Sequence, residues 1–293
     1  MSELLTFPDG LEVTAVRKYA GRMRDIAKRI KIPVDDAALQ DAARYMSPLV
    51  PSGAVLVPAP SSHGLNPAML VLASYIATLG EGATVVEAVV RRQAVQSSML
   101  RRQAGKRGTL VAEHVASMGA REPLPPEVYD GRRPIVVIDN VVTEGNTIRA
   151  MEAVLGLPLQ AVVLADASRF RPSRKNPKGP FVVCVSGSRD YHNLQHVHEV
   201  LCLLPHGTVV LHGGARGVDA EADRVARLLG LCVEVQPADS SSYGRAAGPH
   251  RTREMVERAD FLYAFWDGTS RGTASAIQAA VELGKEFDVI LDQ

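Results

Sequence analysis

The chain has 293 residues, too many for one typical domain and enough for two separate cores. Its 46% hydrophobic and 22% charged content is that of a globular protein, and it shows neither a basic, apolar leader nor an unbroken apolar span, the richest stretch (65–79) being interrupted by Asn66, Pro67 and Ser74. The net charge of +1 hides an imbalance: residues 181–293 carry 10 Lys/Arg and 15 Asp/Glu against 23 and 17 in the rest, so the first part suits an anionic small molecule without the concentrated basic surface of a dedicated nucleic-acid binder.

In chain order, residues 11–48 read as two amphipathic helices, one through Ala15–Ile30 and one from Asp35 or Asp36 to Tyr45, with Pro33 between them. They are expected to cover the first domain or to form an oligomer surface, and a homo-oligomer is expected. Ala54–Pro58 reads as a buried strand, followed by a loop containing Ser61, Ser62, His63 and Gly64, then a helix from about Ala68 to Thr78. A loop of this kind at a helix N-terminus offers backbone N–H groups to an anion. His63 either touches a phosphate oxygen or is a plain exposed loop histidine. After a third strand (Thr84–Val90), the span from Arg91 and Arg92 through Arg101, Arg102, Lys106 and Arg107 has six positive charges and no negative one. It is either a mobile basic loop closing over an anionic ligand or a solvated helix face.

The stretch 135–148 changes character three times. Ile135–Ile138 is a run of β-branched residues expected in a strand buried on both faces, Asp139 and Asn140 fall at its end, and Thr143, Glu144, Gly145, Asn146 and Thr147 form a turn that opens a helix. Strand, acid and turn at the carboxyl end of a parallel sheet make a plausible site for a phosphorylated sugar. The stretch resembles the PRPP-binding motif of type I phosphoribosyltransferases, with Asn140 in place of the second acidic residue and Glu144 in place of the second Thr. Val57–Pro60 and Gly64–Asn66 are similar to elements of the ComF (competence) type of that family, which also has a stretch like Arg91 or Arg92 followed by Gln96. The resemblance implies a Rossmann-like three-layer domain in residues 1–168. It also implies that Asp139 holds ribose hydroxyls directly or through Mg²⁺, that Thr143–Thr147 bind the 5′-phosphate, and that Ser61–Gly64 with the Arg91–Arg107 span hold pyrophosphate. Asp139, Asn140, Arg91 and Arg92 are its expected catalytic residues, PRPP and a nitrogenous base its expected partners.

Residues 169–180, with Pro172, Pro177 and Pro180 and no acid, read as a semi-rigid basic linker. Beyond it, in 181–293, three strands each end in a glycine-rich turn: Phe181–Val185 before Gly187, Ser188 and Arg189; Val209–His212 before Gly213, Gly214, Arg216 and Asp219; Phe261–Trp266 before Gly268, Ser270, Gly272 and Thr273. Three such turns on one parallel sheet are expected to converge on a nucleotide-sized ligand. With Gln236–Asp239, Tyr243–Pro249 and Arg251, these turns resemble the YspA-type branch of the SLOG superfamily, related to the LOG phosphoribohydrolases and to DprA. The resemblance implies binding of a nucleotide or nucleotide-derived ligand. It departs where the hydrolases carry a catalytic Glu, since Ala276 stands there, and at Ser240 and Thr252; Asp219, Asp239 and Glu254 are possible substitutes or plain caps and surface acids. Cys184, Cys202 and Cys232 show no metal spacing and are expected as reduced core residues of a cytoplasmic protein.

The expectation is thus an α/β chain of two mainly parallel sheets flanked by helices, acting as a Mg²⁺-dependent phosphoribosyltransferase fused to a nucleotide-binding domain. The alternatives are a non-catalytic two-domain sensor, a phosphoribohydrolase in the second domain and a single-stranded DNA-handling protein. The acidic second domain disfavours the last.

Overall fold

The computed structural model describes residues 2–31, 35–64, 66–96, 100–101, 110–168, 179–238, 241 and 244–292. The chain divides into two compact units, Met1–Ser98 with Gly108–Phe170 and Met99–Arg107 with Arg171–Gln293. Each is an α/β layer structure built on a mainly parallel sheet. Among the described residues no helix is long and apolar enough to cross a membrane.

The first unit runs β1 (Glu3–Thr6), β2 (Glu12–Lys18), α1 (Gly21–Arg29), α2 (Asp36–Met46), β3 (Val55–Pro58), α3 (Pro67–Leu79), β4 (Thr84–Val85), β5 (Val89–Arg91), α4 (Val111–Ser117), β6 (Met118–Ala120), α5 (Pro126–Tyr129), β7 (Ile135–Val142), α6 (Asn146–Leu155) and β8 (Gln160–Asp166). Its six-stranded sheet has the order β1-β2-β8-β7-β3-β4, with only the β1 pairing antiparallel. From β3 the chain goes outward to β4 and then returns to the other side of β3 as β7, so the winding reverses between β3 and β7. That reversal opens a crevice at the carboxyl ends of these two strands.

Three expectations need correction here. Residues 12–18 form β2 rather than the start of a helix: Val13 and Ala15, two apart, are fully buried, and β2 gains a parallel partner in β8. Gly21, at φ 49°, separates strand from helix. Thr84–Val90 divides into β4, which extends the sheet, and β5, which leaves it to pair antiparallel with β6. The strand of the PRPP-like motif continues through Val142, so Asp139 lies within β7, in register with Val163 of β8, instead of after it.

In the second unit β9 (Val182–Gly187), α7 (Gln195–Leu201), β10 (Val209–His212), α8 (Val218–Leu228), β11 (Cys232–Val235), α9 (Ala247–Arg258), β12 (Phe261–Trp266), α10 (Arg271–Glu282) and β13 (Glu286–Leu291) alternate along the chain. The five-stranded sheet has the order β11-β10-β9-β12-β13 and is parallel throughout, with its reversal between β9 and β12. Phe261, Tyr263 and Phe265, alternating along β12, fill one core face with Val183 and Val185 of β9. Leu100, within Met99–Arg107, is fully buried in the same core. Cys184 is buried as expected, but Cys202 and Cys232 are exposed: one ends α7 and the other opens the edge strand β11, where one side of the backbone has no neighbour.

Candidate functional site

In the first unit the two expected loops lie on either side of the β3/β7 reversal. The turn after β7 is held by a residue that the motif does not include. Arg149, in the first turn of α6, donates to the Glu144 carbonyl and makes a two-pronged ion pair with Asp9, one arm at 2.6 Å, while its guanidinium lies 5.1 Å from the centre of the Phe7 ring. This pairing draws the Asp9 carboxyl down to about 2. Gly145 is required twice over: it takes φ 73°, and a Cβ there would stand 2.7 Å from Leu11 Cδ2. Glu144 is tied along the turn by a hydrogen bond from Asn146 Nδ2 at 3.2 Å. Thr143 and Thr147 remain part-exposed at the mouth of the turn, and the first N–H groups of α6 lack intrahelical acceptors by construction.

Asp139 is part-buried beneath this turn. Burial pushes its carboxyl up to about 6, against the Asn140 N–H at 2.7 Å and the charges of Lys31 and Arg91. Asn140, one of the expected catalytic residues, donates from Nδ2 to the Ala27 carbonyl of α1 at 3.3 Å. It therefore ties a helix to β7, a use open to an amide and closed to an ionised carboxylate.

The loop after β3 folds back on itself. Ser61 N–H and Oγ both donate to the Gly64 carbonyl (3.2 and 3.3 Å), Ser61 Oγ accepts from the His63 N–H, and Ser62 Oγ lies 3.0 Å from His63 Nδ1. Ala59 N–H donates to Ile138 O at 2.9 Å, fixing the loop to β7, and Asn66 caps α3 at Met69. Arg91, 4% exposed, braces the loop from below: Nε donates to the Ser61 carbonyl at 2.5 Å, and the remaining nitrogens reach Ser117 Oγ and His114 Nδ1. Burial lowers the guanidinium to about 10, with Asp139 opposing, and burial next to Arg91 brings the His114 imidazole down to about 4. His114 is thus neutral with Nδ1 accepting. Arg91 acts here as a positioning residue rather than as a mobile cation. Arg92 is apart from this group: it is exposed and lies over Gly119, where a Cβ would meet its guanidinium carbon at 2.5 Å. Arg102, Lys106 and Arg107 of the basic span, and most of the expected linker, lie outside the described residues. Arg149, Asp9, His114 and Ser117 were not legible as site residues. Arg149 alone had a local signal, a cation four residues after the turn glycine.

In the second unit the three glycine-rich turns are knit together at the carboxyl ends of β9, β10 and β12. Ser188 is fully buried, donates from N–H to Phe265 O at 2.9 Å and accepts at Oγ from the Asp267 N–H. A Cβ at Gly187 would stand 2.4 Å from Val218, and one at Gly217 (φ 76°) 2.4 Å from the Arg189 carbonyl oxygen. Arg216 pairs with Asp190 at 3.1 Å across the first two turns. Asp219 accepts from the N–H groups of Gly213 and Ala215, and burial raises its carboxyl. Arg251 donates to the Gly213 carbonyl at 2.6 Å, so close to Gly213 that a Cβ there would stand 2.0 Å from Nη1. Asp219 and Arg251 therefore shape the β10 turn from its two polar ends. In the third turn Ser270 caps Thr273, while Gly268 (φ 81°) and Gly272 have open space around them. Gly214, also at positive φ, donates from its N–H to His212 Nδ1. Ala276 is fully buried, and Glu254 accepts a hydrogen bond from the part-buried Gln236 amide at 3.0 Å. Asp239 lies outside the described residues, as do Ser240 and Tyr243.

No family model matches the chain. It is similar to the Gene 61 protein of Mycobacterium phage D29, 39% identical over 112 residues, a stretch covering 35% of this chain and 90% of the phage protein.

Proposed function

We propose, for a chain that belongs over about a third of its length to one family with that phage protein, that the first unit binds PRPP and makes or breaks a base–ribose-5-phosphate bond. The observation carrying this reading is that two anion-suited loops, Ser61–Gly64 and Thr143–Thr147, flank the β3/β7 reversal, with Asp139 on β7 near Arg91, which braces the first loop. The loop N–H groups and hydroxyls suit the phosphates, and Asp139 suits the ribose diol. Among the described residues no three His, Cys, Asp or Glu side chains group as metal ligands. Asp139, with one oxygen taken by the Asn140 N–H, fits a Mg²⁺ bound mainly through the substrate's own oxygens; bound there, the ion would neutralise charge on the pyrophosphate. The chain's own residues position substrate and shield the leaving group, which is where such a transfer gains most.

In the second unit the convergent turns support binding of a nucleotide or nucleotide-derived ligand, and the buried Ala276 weighs against hydrolysis. The reading as a non-catalytic sensor rests on Asn140, whose amide is committed to α1. Incubating the full chain with PRPP, Mg²⁺ and a panel of bases separates the two readings. Pyrophosphate release with at least one base supports transfer; PRPP binding with no release from any base supports the sensor.

A further inference from the structure

Away from the β3/β7 crevice, the carboxyl end of β2 and the start of α1 line a second concavity of about 610 Å³, bordered by Arg17, Lys18, Ala20, Arg22, Met23 and Tyr45, with Glu3 the one acid at its wall. This volume is that of a small-molecule site. Its cations are unequally engaged. Arg22 is shared with Asp41 at 3.1 Å and lies 5.9 Å from the centre of the Tyr45 ring. Arg17 and Lys18, both exposed, have no ion-pair partner among the described residues. Elsewhere in this unit Arg29, Arg132 and Arg149 are each neutralised by a carboxylate, so two adjacent unpaired charges at the mouth of a cleft are unusual for this surface.

The backbone adds donors at the same place. Ala20 caps α1 without a side-chain hydrogen bond, and the first turn contains no acidic residue. The Gly21 and Arg22 N–H groups have no acceptor among the described residues. Guanidinium, ammonium and two successive N–H groups present donors to a tetrahedral oxyanion from several sides. The cleft is larger than such an anion alone, and its remaining wall, buried Met23 and the half-buried Tyr45, is apolar.

We propose that this cleft binds the phosphate group of a small phosphorylated organic molecule, with Arg17, Lys18 and the first turn of α1 on the phosphate and Met23 and Tyr45 against the organic part. The site is separate from the PRPP reading and stands without it.

The test is a ¹⁵N-resolved NMR titration of the full chain with inorganic phosphate, AMP and a single-stranded oligonucleotide, repeated with Arg17→Gln/Lys18→Gln and with Thr147→Ala. Saturable shifts of the Gly21 and Arg22 amides are expected, with AMP binding more tightly than phosphate. The double substitution is expected to weaken both at least tenfold, and Thr147→Ala to leave them unchanged. Both substituted cations are exposed and unpaired, so the double variant should keep the parent melting temperature. No saturable shift at Gly21 and Arg22, or equal affinity in the double variant, would overturn the site. Tighter binding of the oligonucleotide than of AMP would overturn the small-molecule assignment.

Discussion

Asp139 carries the most consequence of any single residue. Its folded-state carboxyl, raised to about 6, binds a proton that the unfolded chain releases nearer 4, so its ionisation costs stability as pH rises through that window. His114 runs the other way: held neutral down to about 4, it costs stability as pH falls below 6.5, where the unfolded chain takes up a proton. Each effect is on the order of 2 kcal/mol, and they partly cancel. Asp139→Asn removes one side of the balance. It is expected to raise the melting temperature at pH 7.5 and to leave a stability that climbs with pH between 4 and 6.5, read by thermal melts across that range; a variant less stable than the parent at pH 7.5 would contradict the assigned burial. The turn glycines give a second residue-scale test. At Gly217 a Cβ would meet backbone, which cannot swing aside, so Gly217→Ala is expected to cost about 3 kcal/mol or more in denaturant unfolding. At Gly272, with open space and no positive φ, the same change should be nearly silent, which a matched melt would check.

At the scale of elements, the carboxyl-end loops are only as good as the groups that hold them. Arg91→Leu leaves the Ser61 carbonyl and His114 Nδ1 without their donor while keeping an apolar body in the cavity. A loss of about 2–4 kcal/mol is expected, together with weakened phosphate-ligand binding, because the Ser61–Gly64 loop loses its brace. Equilibrium unfolding and a PRPP titration of the same variant measure the two effects separately. Many elements were legible in the sequence because buried parallel strands such as Ala54–Pro58, Ile135–Ile138 and Phe261–Trp266 stand out as short apolar runs, although the second of these continues past Asp139 to Val142. β2 was not legible. Its Arg17 and Lys18 continue the basic pattern of α1, and what makes it a strand is β8, more than 140 residues later. The same holds for the site. Asp139 and the two loops stood out locally, whereas Asp9, His114 and the Asn140–Ala27 bond are created by contacts between distant segments. The sequence pattern also assigned Arg91 and Arg92 one role, but Arg91, the last residue of β5, is buried and Arg92, just past the strand, is exposed.

On the scale of the whole molecule, each unit has its own sheet, its own reversal of winding and its own set of turns at the carboxyl ends of its strands. Both the Asp139 crevice and the Arg17–Lys18 cleft belong to the first unit. The central claim is that the first unit is a PRPP site organised by Asp139. Calorimetric titration of the full chain with PRPP in the presence and absence of Mg²⁺, repeated with Asp139→Asn, tests it most directly. The expected result is Mg²⁺-dependent binding that weakens at least tenfold in the variant and fades as pH falls below about 6, where Asp139 protonates. Absence of PRPP binding at pH 7.5, or binding unaffected by the substitution, would contradict it.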